Sequence, residues 1–371
     1  MSSSVRKPVR AATLVDVGRA AGVSAMAVSA VLNGAKTSSR IAPETRTRIL
    51  KAAALLQYRP NAAARALAQR RMNTLGVAAV INDGGELDHY FLEVFNGVIT
   101  AAALHHQNTT VFALHNWDRD AARIPGFCDG RIDGLILIGP VLGHESSNLF
   151  PPHTPFVALH ANSPLPGVVN IESDEETGAY EIVRHLIAHG HQRILHISGG
   201  RGLTGAERRI RGWRRAFASV HLPCDDRWLV EGTFSVEGGR CALRSWLDRS
   251  VGELMPQAIF CASDAIAVGC LEVLAEARLR VPADISVVGF DDTQAARATI
   301  PQLTTVRQPL RAMGMRAVDT LLERIRHHHG HGELPTRGTI VFPAEIVVRA
   351  SVAAPAPNRP VLALPTVAAS P

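Results

Sequence analysis

Apolar side chains recur at helical spacing in three stretches near the start of the chain. Leu14, Val17 and Ala21 stand at i, i+3 and i+7, Val28, Val31 and Leu32 give the next stretch a matching face, and Ile49, Ala52, Ala53 and Leu56 give the third. The first two read as short helices joined at Gly22, which can take a left-handed conformation, with Ser24 placed to accept from the amides opening the second. Pro43 suits the first turn of the third helix, and Tyr58-Arg59-Pro60 ends it. Asn61 can then cap NAAARALAQRR, a segment that is helix-compatible but too short and polar to fold alone. From Thr74 the pattern changes. Apolar runs of strand length, LGVAAVI (75–81), TTVFAL, GLILIG (134–139), FVALHA (156–161), RILHIS, AIFCAS and ISVVGFDD, alternate with helical stretches at FLEVFNGVITAAALHH, 179–189, 206–218 and 264–277. Continuous apolar strands in β-α-β order imply parallel sheets covered on both faces. The predicted fold is an all-α helix-turn-helix domain followed by an α/β core of two doubly wound parallel-sheet lobes, with a ligand crevice at the carboxyl ends of the strands.

Charge separates the same two parts. Residues 1–73 carry thirteen Lys or Arg against Asp16 and Glu44, a surplus of eleven; with the whole chain at +6, residues 74–371 are left at −5. A basic segment built on a packed helix pair is the electrostatic footprint of a phosphate-binding surface, with the second helix in the DNA major groove. At 371 residues and 46% hydrophobic, the chain can bury two or three cores. It has no run of eighteen apolar residues and no apolar stretch behind its basic start, so a cytoplasmic protein without a membrane partner is expected. Five scattered cysteines, Cys128, Cys224, Cys241, Cys261 and Cys270, fit neither a metal site nor a disulfide scaffold and read as reduced thiols.

Candidate ligand residues fall at strand ends and in the loops after them: Tyr90 and Phe91, the segment GGRGLTGAERRIRG, Phe234, Ser263 and Asp264, and Asp291 and Asp292. Aromatic surface with a few fixed charges suits a ring-shaped ligand with a polar edge. For Asp264 the competing role is helix capping. The glycine-rich run Gly199–Gly205 allows a rival reading, a nucleotide-dependent α/β enzyme with Asp225 as its ribose-binding carboxylate. No nucleophile and base pair stands near it, and that reading leaves the basic front unexplained. HHHGHGE (327–333) is broken by glycine and reads as a solvated loop rather than a metal site. No catalytic residue, metal or cofactor is expected.

Residues 13–73 resemble the DNA-binding domain and hinge of the lactose/galactose repressor (LacI/GalR) family, through TLVDVGRAAGVS, VSAVLN, I-A-P-E-T-R, Y-R-P-N and A-R-A-L-A, and the resemblance continues to about Val352. It implies a periplasmic-binding-protein-like core in which the chain crosses between lobes three times. It further implies a homodimer gripping a palindromic operator in double-stranded DNA, with Thr13, Ser24, Ala25, Met26, Ser29, Asn33, Arg59, Asn61, Arg65 and Leu67 as the DNA-binding set. Leu67 matches the leucine that wedges between minor-groove base steps. The effector positions match Tyr90, Phe91, Arg209, Phe234 and Asp291, Arg209 being placed by R-x-x-G-W/F. In that picture Arg209 and Asp291 face each other across the cleft as donor fork and acceptor, suited to a sugar or a nucleobase-like edge.

The sequence departs from the family pattern in three places. Ala25-Met26-Ala27 and Ala30 lack amide or guanidinium readers, so readout leans on thymine methyls and DNA deformability; a sugar sensor that has lost specific DNA binding is the second rival. Gly18 replaces the usual alanine, and Ser263 the usual asparagine. The expected domains are a basic tail over 1–12, the helix-turn-helix over 13–60, a hinge over 61–73 and the core over 74–352. Lobe one would take about 74–170 and 306–334, and lobe two about 171–305 and 335–352, with TIVFPAEIVVR as a late strand of lobe two. The proline-studded 353–371 is expected to be disordered; it lacks a leucine-heptad helix, which favours a dimer.

Overall fold

The computed structural model describes residues 11–33, 41–59, 71–81, 88–330, 338–358 and 360–362. The chain divides into two compact units, Met1–Asn73 and Thr74–Pro371. In the first, α1 (Leu14–Ala21), α2 (Ala25–Asn33) and α3 (Pro43–Leu55) pack around Val17, Ala21, Val28 and Ile49. Thr13 and Asp16 form a reciprocal capping box at the start of α1. Gly22 closes α1 at φ 65°, and Ser24 Oγ accepts from Ala27 N at 3.2 Å, as its position predicts. A Cβ on Gly18 would stand 2.7 Å from the Val23 carbonyl oxygen, so the glycine permits the close turn between the helices. The hinge segment, with Asn61, Arg65 and Leu67, lies outside the described residues, as do the last residues of the histidine-rich block.

The second unit has two lobes. Lobe one holds β1 (Thr74–Val80), β2 (Asn108–Leu114), β3 (Gly134–Ile138), β4 (Phe156–Leu159), β5 (Val169–Ser173) and β11 (Thr339–Phe342), all parallel, in the order β11-β5-β4-β3-β1-β2. Helices α4 (His89–Leu104) and α12 (Leu310–His328) pack on one face with Val94, Val98, Met313 and Leu321 buried; short helices α5 (Trp117–Asp120) and α6 (Ile124–Phe127) belong to the cluster that covers the other. Added Cβ atoms on Gly97 and Gly314 would each fall 2.1 Å from a carbonyl of the facing helix, so α4 and α12 touch backbone to backbone.

Lobe two holds the parallel sheet β7-β6-β8-β9, made of β6 (Ile194–Ser198), β7 (Leu229–Glu231), β8 (Ala258–Cys261) and β9 (Ser286–Val288). A two-stranded antiparallel ribbon joins β10 (Thr305–Arg307) to β12 (Glu345–Val347). Its helices are α7 (Glu175–Ala188), α8 (Thr204–Ala218), α9 (Val236–Arg249), α10 (Asp264–Glu276) and α11 (Gln294–Ala298). Among the described residues no single helix is long and apolar enough to cross a membrane.

Two expectations are corrected. Residues 171–173 and 339–342 lie in the sheet of lobe one, not in lobe two: β11 pairs with β5 from Thr339↔Asn170 to Phe342↔Ser173. The run TIVFPAEIVVR is not one strand, because Pro343 supplies no amide for a ladder and splits it between the lobes. The described part of the tail is also ordered. His191 Nε2 meets the Ala353 carbonyl at 2.9 Å, Arg193 donates to Asn358 Oδ1 at 2.6 Å, Val361 N donates to the Glu253 carbonyl at 2.7 Å, and Val361 is buried in the lobe-two core. Proline forbids a helix there but not an extended strap held by side chains and one apolar anchor. Ending the chain after Val352 should lower lobe-two stability by about 2–3 kcal/mol, mostly from the lost burial; an unchanged urea midpoint would contradict the anchoring.

Candidate functional site

In the first unit, of the predicted DNA-facing residues that are described, Thr13, Ser24, Ala25 and Met26 fall at the two helix starts and Asn33 ends α2. Thr13 and Ser24 serve as caps, which orients α1 and α2, while Met26 is 70% exposed on the first turn of α2. Ala25 flanks it, Ser29 follows one turn on, and Arg59 is exposed after α3. Arg19, Arg46, Arg48 and Lys51 are also exposed, so the unit presents several cationic side chains to solvent.

In the second unit a cavity of about 1450 Å³ opens between the lobes and is lined by Tyr90, Phe91, Arg209, Phe234, Ser263 and Asp291. Asp264 is not among its lining residues. Its carboxylate is buried and accepts from Thr293 N (2.7 Å), Thr293 Oγ1 (3.1 Å) and Thr305 Oγ1 (2.6 Å), and the cap of α10 is Ser263, whose Oγ accepts from Ile266 N at 3.2 Å. Burial pushes the Asp264 carboxyl up to about 7 against those donors.

Arg209 projects from α8 into the buried end of the cavity. Its Nη1 donates to the Ala262 carbonyl, Nη2 donates to Glu175 Oε1 at 2.7 Å, and its guanidinium lies over the rings of Phe290 (4.1 Å) and Phe234 (5.2 Å). Asp291 stands 3.8 Å from the same Nη2. Both residues belong to lobe two, one at the start of α8 and one after β9, so they do not face each other across the cleft. The strands that precede them, β6 and β9, belong to one sheet with β8 between them, which makes the pair lateral. Glu175, unremarked in the sequence, is the nearer partner. Burial alone would raise its pKa, but Arg209, His160 and Arg208 outweigh it and hold it below the ordinary value. For Asp291, burial wins over Arg209, with Asp264 adding to it, and the carboxyl is driven well above the ordinary range. Arg209 is thus paired with Glu175, and Asp291 accepts from Gln308 Nε2 at 2.6 Å. Its φ of 117° is a strained conformation for a non-glycine residue, of the kind that gathers at binding sites.

From lobe one, the Tyr90 hydroxyl meets His160 Nδ1 at 2.5 Å, and Ser173 N donates to His160 Nε2 at 3.3 Å. An amide can only donate, so Nε2 accepts and Nδ1 carries the ring proton to the Tyr90 oxygen. Burial lowers the His160 pKa, consistent with the neutral ring, and leaves the phenolic proton free for a ligand. Phe91 is buried beneath, stacked on Phe95. Glu175, His160, Asp88 and Asn162 also line the cavity, and all four escaped the sequence reading. Only Asp88 left a signal, as the cap of α4 accepting from Phe91 N at 2.6 Å.

Two of the four glycines in the 199–205 loop are accounted for by contacts, and Gly202 by its φ of 76°. A Cβ on Gly199 would lie 2.3 Å from the Phe234 ring, and one on Gly205 2.6 Å from Glu175 Oε1. A carboxylate against the loop opposes a bound pyrophosphate. Asp225 instead caps a short turn by accepting from Arg227 N at 2.9 Å.

Residues 13–61 match the family described as bacterial regulatory proteins, lacI family, and residues 183–352 match a periplasmic binding protein-like domain. The chain is 31% identical over 346 residues to the HTH-type transcriptional repressor PurR of Vibrio vulnificus, covering 89% of this chain and 98% of the relative. It is 30% identical to the ribose operon repressor of Haemophilus influenzae, covering 92% and 98%. Among solved structures, the lac repressor dimer bound to operator and the anti-inducer ONPF superposes with a TM-score of 0.78 at 28% identity, covering 93% of this chain and all of that one. The CelR–cellobiose complex gives 0.66 at 27% identity, covering 92% and 99%.

Proposed function

Because the chain belongs to the lacI family of bacterial regulatory proteins, we propose that it is a dimeric repressor whose α2 and hinge read a palindromic operator and whose interlobe cavity binds the controlling effector. The observation that carries effector control is the cavity itself: both lobes line it, and the lobes are joined by crossings near Ser173, Gln308 and Pro343. A compound that fits one lobe angle better than another shifts the population of DNA-competent dimers by its difference in affinity, a coupling of about 1–3 kcal/mol in typical cases. The effector is a neutral sugar or nucleobase-like compound. Tyr90 and Asp291 offer it polar contacts, Phe234 offers a face, and the Arg209 charge is already answered by Glu175. The protein acts in the cytoplasm by binding, without catalysis.

On DNA, Ser24, Ala25, Met26 and Ser29 approach base edges, Thr13, Asn33, Arg59, Asn61 and Arg65 fix the register, and Leu67 enters the minor groove. Selecting random duplex DNA on the purified protein, with and without sugars and nucleobases, tests both functions together. The expected result is an enriched palindrome whose retention responds to one class of compound. Compound binding without any enriched duplex would point instead to a sensor that does not read DNA. Leu67→Ala should weaken the selected duplex far more than random DNA, and equal losses would refute the wedge.

A further inference from the structure

Helix α8 carries Arg209, yet its own sequence does not cap it. The residue before it is Leu203, which offers no side-chain acceptor, although first-turn amides at a helix start lack backbone partners. The acceptor comes from the other lobe. Asn162 follows β4 of lobe one, where its amide N donates to the Pro140 carbonyl at 2.9 Å. Its Oδ1 accepts from Thr204 N at 2.6 Å, its Nδ2 donates to the Gly202 carbonyl at 3.1 Å, and Thr204 Oγ1 donates to its backbone oxygen. One turn along, Arg208 Nη2 donates to Glu172 Oε1 of β5 at 2.8 Å, and that carboxylate is held by Asn170 Nδ2 at 2.7 Å. Lobe one therefore grips α8 at residues four apart, with Arg209 immediately beyond.

We infer that Asn162 is a cap supplied to α8 across the cleft and acts as the positioning residue for Arg209, so that a change of lobe angle uncaps the helix that holds the effector. This extends the effector-controlled reading above and gives the Gly199–Gly205 loop its role: it presents Gly202 and Thr204 to the opposite lobe. The cap is a bond between rigid bodies rather than within one. Its loss should leave each lobe's core intact while altering the balance of lobe angles.

Hydrogen exchange on the full-length dimer tests the inference. In Asn162→Ala, amides 202–207 should exchange about tenfold faster, the size of a lost N-cap, while β6 and β8 keep their protection. Asn162→Asp should restore most of it, because a carboxylate still accepts from Thr204 N and faces the positive end of the helix, while it cannot donate to the Gly202 carbonyl. Affinity for a duplex selected by the wild-type protein, measured without added compound, should shift about tenfold in Asn162→Ala and return toward wild type in Asn162→Asp. Unchanged exchange at 202–207, loss of protection throughout lobe two, or altered exchange with unchanged duplex affinity would each overturn it. Failure of the wild-type protein to select any duplex would count against the repressor reading, while the exchange data would still decide the cap.

Discussion

Arg209→Leu should cost about 3–5 kcal/mol of stability and leave operator binding unresponsive to any compound. The side chains of Arg209 and Glu175 are 6% and 3% exposed, so removing the guanidinium strands a buried carboxylate. Arg208 Nη1, at 3.4 Å from the other oxygen of Glu175, is the nearest replacement, and it is already committed to Glu172. The Ala262 carbonyl would lose its donor as well. Arg209→Lys separates the two consequences. An ammonium keeps the charge near Glu175 but cannot reach Ala262 at the same time or stack between Phe290 and Phe234, so this variant should fold near normally and still fail to respond. Urea unfolding reads the first effect, and duplex retention across the compound panel reads the second. A leucine variant with wild-type stability would mean that Glu175 is not held as described.

The second large effect is expected at Asp292, whose side chain is fully buried among three arginines. Arg307 Nε approaches Oδ2 at 2.8 Å, Arg297 Nη2 approaches it at 3.3 Å, and Arg349 pairs with Oδ1. Arg307 lies on β10 and Arg349 follows β12, so one carboxylate ties together the segments by which the chain leaves lobe two and returns. Asp292→Asn should cost about 2–4 kcal/mol, near the lower part of the range for a broken buried pair, because Arg297 and Arg307 are about half exposed and can rehydrate whereas Arg349 is 13% exposed. Asparagine keeps the left-handed backbone (φ 56°) accessible, which confines the change to charge. Burial works against the carboxylate, but the arginines outweigh it and hold its pKa below the ordinary value. The stabilisation is therefore complete above the unfolded carboxylate pKa of about 4 and disappears as the pH falls through the lower folded value. The asparagine variant should lack this part of the acid-induced loss; an identical stability profile below pH 4 would contradict the assignment.

Local chemistry was legible in the sequence to the extent that it is local. Gly22, Ser24 and Pro43 mark helix ends through backbone angles and bonds within a few residues, and the apolar strands announced parallel sheets because both of their faces are covered. The lobe boundary was not legible, since β5 and β11 belong to lobe one only through pairing with distant strands and Pro343 divides a run that reads as continuous. The cavity was half legible. Tyr90, Phe91, Arg209, Phe234, Ser263 and Asp291 do gather there, but Glu175, His160 and Asn162 arrive from across a crossing or the cleft, and no spacing encodes that. Asp264 and Ser263 were one residue out of role, because adjacent polar residues at a helix start compete for the cap and only the backbone angle decides between them. The tail misled in the same way: its prolines exclude a helix, while its anchorage depends on His191, Arg193 and the Val361 pocket.

The paired glycines of α4 and α12 have a mechanical corollary. Where main chains meet without intervening side chains there is no compliant layer to shear, and the same arrangement recurs in lobe two, where Cβ atoms on Gly239 and Gly269 would stand 2.2 and 2.0 Å from carbonyls of the facing helix. Each helix pair then resists sliding at that contact, and the chain passes between the lobes near Ser173, Gln308 and Pro343. The crossings are also bonded to the cleft lining, Ser173 to His160 and Gln308 to Asp291, so rebuilding that lining for another compound would retune the transmission as well.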